Sequence, residues 1–371
     1  MKFVPKNTLD YTQRFVSMDK AQVVFLGDIS LNDEYIERYK KGSNPFSKIA
    51  KKLFLSNIVI GNLECMAKGS QGENLTKKPR LTTTEKTLNY LNTLNVSLVS
   101  LAHNHIYDHL EDGFIKTTDF LDKNNIDFLG ASLEKEKYGK PHIETVNDIK
   151  IGFLNYVDND TNPNLPKNSK VFLNTFNLEK AVDCIKDIRK EVDHIVLLMH
   201  WGGRVEGGLY PDWEQPKIAR QLIDSGADLI IGHHSHTIQP FEIYKGKHIF
   251  YSLGNFCFSD FCFEGKNYNM SRRRKNIIIP IVSFSKARYS VKISFWKNEG
   301  DEIIPYHIYR LKMMMRNNLF KLHESRAIWS IYFFIHRKIS PILFYLLIND
   351  LSLYEKMKSL NRDKIRRYMK K

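Results

Sequence analysis

The stretch DLIIGHHSH, residues 228–236, decides the fold. Its first half is an unbroken apolar run, the pattern of a strand buried on both faces. Its second half sets three imidazoles within four residues, where that strand must end. Upstream, 214–225 has helical spacing with Pro216 in its first turn. Gly226 then falls where a left-handed residue closes a helix. Downstream, 248–252 is another apolar run. Helix, buried strand and further strand in succession mark an α/β layered domain.

Working outward, the same alternation extends to residue 22. Strands are predicted at 22–27 (QVVFLG), 57–61 (NIVIG), 96–101 (VSLVSL), 126–129, 151–156 and 194–199 (HIVLLM). Helices are predicted at 84–93, at 112–123 with an acidic first turn, and at 177–191 with Asn177 as N-cap. Past Asn255, 276–285 and 289–297 read as an antiparallel pair. The expected architecture is an α/β layered domain over 1–309, followed by a basic, aromatic helical extension over 310–371.

The strand-like runs end in residues able to bind metal. Asp28 follows the first, Glu64 the second and His103-Asn104-His105 the third. His200 follows the run at 194–199, His233, His234 and His236 follow that at 228–232, and Asn255 follows that at 248–252. In open α/β sheets, ligands bind beyond the carboxyl ends of strands. A mixed set of carboxylate, amide and imidazole donors suits a divalent ion such as manganese, iron or zinc. Singly, each residue has a bland explanation: Asp28 as a turn residue, Glu64 as a helix N-terminal carboxylate, His200 as a core histidine. The density of imidazoles at 103–105 and 233–236 favours a site.

These motifs, in this order, resemble the CapA family of capsule and poly-γ-glutamate biosynthesis proteins, which looks like a divergent branch of the calcineurin-like metallophosphoesterases. The matching segments are GDISL (27–31), GNLE (61–64), AHNHIYDH (102–109), HWGG (200–203), GADLIIGHHSHTIQPFE (226–242) and YSLGNF (251–256). The resemblance covers roughly residues 20–290. It implies a metallophosphoesterase-like sandwich holding one or two divalent ions. It further implies Asp28, Asn104, His200, His234 and His236 as ligands and Glu64 as a bridging carboxylate. His105 would be the general acid and Asp108 its orienting partner. His233 and His234 compete for one ligand position. Typical metallophosphoesterases carry Asp-x-His in the first motif, and here position 30 is Ser.

An anionic substrate, a phosphoester or a polyanionic polymer, calls for cations nearby. Lys77, Lys78, Arg80 and Arg204 lie close to the motifs in sequence. Arg80, Arg204 and Asn255 are the expected substrate contacts, since a guanidinium can bind an oxyanion bidentately. The alternatives to an enzyme of polymer synthesis are a non-catalytic polymer- or partner-binding component and a small-molecule phosphoesterase.

Apolar residues make up 42% and charged residues 26% of 371, ordinary for a globular chain. Cys65, Cys184, Cys257 and Cys262 form no CxxC pair, which argues against a zinc knuckle and for free thiols in a reducing compartment. Residues 310–371 hold 15 Lys and Arg against 4 Asp and Glu, so +11 of the formal +15 lies there. Such a tail fits an anionic membrane surface or a partner protein, which the resemblance implies would be a capsule synthase. The run Arg272–Lys275 comes without any nucleic-acid-binding signature, so no nucleic acid is expected. With neither an apolar leader nor a clear spanning helix readable, the expected location is cytoplasmic or peripheral to a membrane.

Overall fold

A computed structural model describes residues 19–339. Two sheets form its centre. The first has, in order, Ile303–Pro305, Tyr289–Asn298, Asn276–Phe284, Ala21–Ile29, Ile58–Leu63, Leu98–Ser100 and Asp127–Leu129. Asn255–Cys257 also pairs with Ala21–Ile29. The second runs Phe241–Tyr244, Lys247–Phe250, Leu229–His233, His194–His200, Ile149–Val157 and His142–Val146. The central strands of both are parallel. Antiparallel strands lie at one end of the first sheet and at both edges of the second.

Alternation of side chains along each strand builds three apolar layers. Val23, Phe25 and Ile60 of the first sheet share a cluster with Phe153, Val196, Leu198 and Ile231 of the second, so the sheets pack face to face. Val24, Leu26, Val59 and Val99 point outward to Ile49 and Leu53 of helix Ser47–Leu53 and Phe114 and Leu121 of helix Leu110–Lys123. Leu154, Ile195, Leu197 and Ile230 point outward to helices Leu178–Ile188 and Gln215–Asp224. The order is helix, sheet, sheet, helix, the α/β sandwich expected from the sequence. Each fully buried large side chain contributes about 1.5–3 kcal/mol.

Local signals behave as read. Asn177 accepts a hydrogen bond from Lys180 N at 3.0 Å, and Gly226 has φ +119°. The helix expected over 84–93 is smaller, a 3-10 turn at Thr87–Asn89 running into Tyr90–Thr93. The preceding threonines explain this: Thr82–Thr83 form a short strand, and Thr84 Oγ1 accepts from Thr87 N at 3.2 Å, which starts the helix late.

From Tyr309 the chain lies on the sandwich. Helix Tyr309–Phe320 sends Tyr309 and Met313 into the cluster between the sheets and Phe320 into the outer cluster of the second. Trp329, on helix Arg326–Phe334, donates to Pro211 O at 3.2 Å, and Leu209 N donates to Tyr332 Oη at 2.7 Å. A boundary at 309/310 therefore falls in the first turn of a docked helix. Residues 340–371, with 8 of the tail's 15 Lys and Arg, lie outside the described residues. Among the described residues no helix is long and apolar enough to cross a membrane.

Candidate metal centre

Both sheets end at the same place, and their carboxyl ends meet there. Asp28 is set by an irregularity: its strand slips register against Ile58–Leu63 between Phe25 and Asp28. Gly27 makes room, since a Cβ there would lie 2.0 Å from Gly254 O, and Asp28 N donates to that same carbonyl at 2.9 Å. Asp28 is fully buried. Asn62 Nδ2 donates to its Oδ1 at 2.9 Å, and His234 N donates to its Oδ2 at 3.3 Å.

Glu64 is the hub. Its ligand atoms and those of His200 and His234 form one compact group, and with Asp28 and His236 it forms a second. The carboxylate is shared, and its Oε1 lies 3.6 Å from His200 Nε2 and 3.8 Å from His236 Nε2. Its Oε2 is buried without any hydrogen-bond partner. Burial first, then the charge of Asp28, push the Glu64 carboxyl well above the usual range. An unpaired buried carboxylate between imidazoles is costly unless a cation sits with it. The donor set therefore fits a divalent ion.

The imidazoles come from the second sheet. His200 ends its strand, with Nε2 3.1 Å from His234 Nδ1. His234 and His236 hold φ of +86° and +57°, left-handed values that cost a non-glycine residue roughly 1–3 kcal/mol and concentrate at functional sites. That turn brings His234 to His200, while His236 Nδ1 meets Asn255 Oδ1 at 2.9 Å. His233 instead stands 3.2 Å from Asp28 Oδ1. Of the two neighbours left open by the sequence, the structure groups His234 with Glu64 and His200. Burial, followed by neighbouring imidazoles, holds His200 well below its ordinary pKa; burial also lowers His236 and takes His234 to about 3. All three are thus neutral near pH 7, the form that binds metal. For Asp28, burial pulls upward but His233, His236 and Asn62 outweigh it and keep the carboxylate ionised.

Ser30, where a histidine is typical of metallophosphoesterases, donates its hydroxyl to Asn32 Oδ1 at 2.8 Å. Asn104 best satisfies its surroundings with its amide nitrogen toward His200 Nε2 (3.0 Å) and Glu64 Oε1 (3.1 Å) and its oxygen toward Lys77 Nζ (3.2 Å). Ligation through oxygen requires the opposite orientation. His105 Nδ1 meets Asp108 Oδ2 at 2.6 Å, and Leu81 N donates to the same oxygen at 2.7 Å. Asp108 thus fixes the ring and leaves Nε2 as the nitrogen free for chemistry.

A cavity of about 710 Å³ opens over the centre, with Asn104, His105, His234 and His236 in its wall and Lys77, Lys266, Arg274 and Glu206 around them. Asp28, Glu64 and His200 lie beneath with no exposed surface. The other expected contacts are elsewhere. Arg204 is 55% exposed and faces Asp212 and Glu214, both at 3.6 Å. Arg80 donates to Glu73 at 2.8 Å and to the carbonyls of Asn74 and Lys77, and it lies over the Phe263 ring. Asn255 orients His236. The sequence reading underweighted Lys77 and missed Arg274, Glu206 and Asn62 as site residues. For Asn62 the signal was its place at the end of a buried strand. For Arg274 there was only a basic run.

The sequence model of the family described as bacterial capsule synthesis protein PGA_cap matches residues 22–260. The PGA biosynthesis protein CapA of Bacillus subtilis (strain 168) is 31% identical over 248 residues, covering 65% of this chain and 64% of that protein. The capsule biosynthesis protein CapA of Bacillus anthracis is 28% identical over 257 residues, covering 65% and 60%. The chain thus spans somewhat less than two thirds of the length of either relative. Among solved structures, a 5'-nucleotidase precursor from Thermus thermophilus is 13% identical with a TM-score of 0.41, covering 82% of this chain and 59% of that one, a distant likeness. The family match spans Asp28 to Asn255, which takes in the carboxylates and imidazoles of the centre though not Lys266 and Arg274 of the cavity, and the chain belongs to the bacterial capsule synthesis PGA_cap family.

Proposed function

We propose that this chain is a metal-dependent hydrolase or transferase of the phosphoesterase type, acting in capsule or poly-γ-glutamate biosynthesis. The observation that carries this is Glu64, one buried carboxylate shared by two histidine-containing donor groups, with an oxygen left unpartnered. Glu64, His200 and His234 would hold one ion, and Asp28, Glu64 and His236 a second. A divalent ion there, manganese, iron or zinc, supplies Lewis acidity toward a phosphoryl oxygen and a water acidified to a nucleophile. The chain's own groups do the rest. Asp108 holds the His105 ring with its proton on Nδ1, and protonated His105 donates from Nε2 to a leaving oxygen. The buried floor excludes water from beneath, and the cavity admits an anionic substrate from above.

Metal analysis and turnover of a phosphomonoester test this. Bound metal, with turnover that falls by about 10²–10⁴ in His105→Ala while metal content stays, supports it. Protein that takes up no metal points instead to a polymer- or partner-binding component of the synthesis machinery. Turnover confined to small soluble phosphoesters removes the polymer from the reading. For a membrane-surface or synthase partner, the support is the exposed apolar residues Leu311, Met315 and Ile331 beside the basic tail. Liposome co-sedimentation unchanged both by removal of residues 340–371 and by Leu311→Ser, Met315→Ser and Ile331→Ser together would sink the membrane version.

A further inference from the structure

Lys77 is a buried cation with no carboxylate at ion-pair distance among the described residues. Its residue surface is only 6% exposed, yet it lines the cavity beside Asn104 and His105. Its ammonium donates to Asn162 O at 3.0 Å. Among the described residues it makes no ion pair, whereas its neighbours are matched: Lys78 with Glu264 at 2.8 Å and Arg274 with Glu206 at 3.3 Å. Lysines this buried are ordinarily paired, because a carbonyl or two does not replace the water an ammonium loses. Asp108, Glu64 and Glu206 act on Lys77 only from beyond ion-pair distance, too far to replace that water, so an anion in the cavity would find its ammonium unpaired.

The Asn104 amide shows where. It lies between Lys77 on one side and Glu64 and His200 on the other, within 3.2 Å of all three. Lys77 is therefore one amide away from the donor groups. If Asn104 turns its oxygen to an ion, its NH2 end faces the ammonium, and Lys77 keeps only Asn162 O. The site is then balanced by an anion that touches Lys77 and the centre together.

We infer that Lys77 is the anion-binding residue of this cavity and takes an oxygen of a phosphoryl group placed over the Glu64 centre. The choice of phosphoryl rests on the function proposed above; the unpaired ammonium in the cavity wall does not. Lys77 accordingly sets substrate affinity, in place of the more exposed guanidinium of Arg204.

The test is calorimetric titration of the full chain, manganese-loaded, with inorganic phosphate and separately with acetate. Lys77→Met should weaken phosphate binding by about tenfold or more, as expected for losing a charge-assisted hydrogen bond. Lys77→Arg should restore most of it, and Lys78→Met should change it by less than about twofold. Metal content should stay unchanged. The thermal midpoint of Lys77→Met should be equal or higher, because an uncompensated buried charge has gone. Unchanged phosphate affinity in Lys77→Met, no phosphate binding by the wild type, or a loss confined to acetate would each overturn the inference. So would a lowered midpoint with phosphate affinity intact, which makes Lys77 structural. Wild-type protein that takes up no metal defeats the proposed function instead, and Lys77 is then decided by the same titration on metal-free protein.

Discussion

The two sheets contribute different chemistry to the centre. The first supplies oxygen and amide donors, Asp28, Asn62, Glu64 and Asn104, and the second supplies imidazoles, His200, His234 and His236. Neither half is a site alone. The carboxylates without the imidazoles are buried acids that repel one another, and the imidazoles without the carboxylates are a neutral cluster with no charge to attract an ion. The lesson is that the centre is a product of sheet packing, held at a depth where an ion would offset the electrostatic cost.

Glu64→Gln breaks that complementarity most severely. Both donor groups lose their shared carboxylate, so metal content, read by elemental analysis, should fall close to zero. The metal-free protein should melt at a higher temperature, since a buried carboxylate without a partner is gone.

Phe153→Ala attacks the contact between the sheets. Phe153 is fully buried among side chains of both. Its truncation should cost about 3–5 kcal/mol in denaturant unfolding. Metal affinity should weaken as well, because the two sets of donors are no longer held in register. Metal affinity unchanged after such a loss would mean that the loops, and not the packing, set the centre.

Asp228→Asn probes the opposite end of the second sheet. Asp228 accepts from Arg189 at 2.6 Å and from Ile195 N at 2.9 Å and pairs with Lys247. Burial raises its pKa, but Lys247, the Ile195 amide and Arg189 outweigh burial and lower it. A depressed folded pKa means stability that is present above the ordinary carboxylate range and is lost as pH falls through the folded value. Asp228→Asn should therefore lower stability at pH 7, by about 1.5–3 kcal/mol for the lost charged hydrogen bonds. The difference from wild type should shrink on acidification below about pH 4. Metal content should not change.

Arg204→Ala should do least. The side chain is more than half exposed and its ion pairs are long, so stability should move by no more than about 0.5 kcal/mol in a thermal melt. Phosphate affinity should stay as it is. A marked loss would return Arg204 to the substrate site.

Much of the fold was legible because its strands are buried on both faces and read as continuous apolar runs. The helices at 110–123, 178–188 and 215–224 were legible through long periodicity and end signals such as Asn177 and Pro216. Glu34–Lys40 and Ser47–Leu53 were not, since seven residues are too few for a 3.6-residue period to stand out. The ligand candidates were legible because each ends a strand. Lys77 was legible only as one basic residue among several, and Arg274 and Glu206 were not legible as site residues, because they sit on loops whose partners lie far away in sequence.

The sequence by itself determined which residue types end the strands, and hence which donor atoms the centre has to offer. Only the tertiary structure decided how they combine. It made Glu64 common to two donor groups, took His234 rather than His233 into one of them, and left Lys77 buried beyond ion-pair distance of any described carboxylate. The physical reason is that strand ends are a local property of the chain, whereas the distance between two sheets and the burial of a charge exist only once the layers have packed.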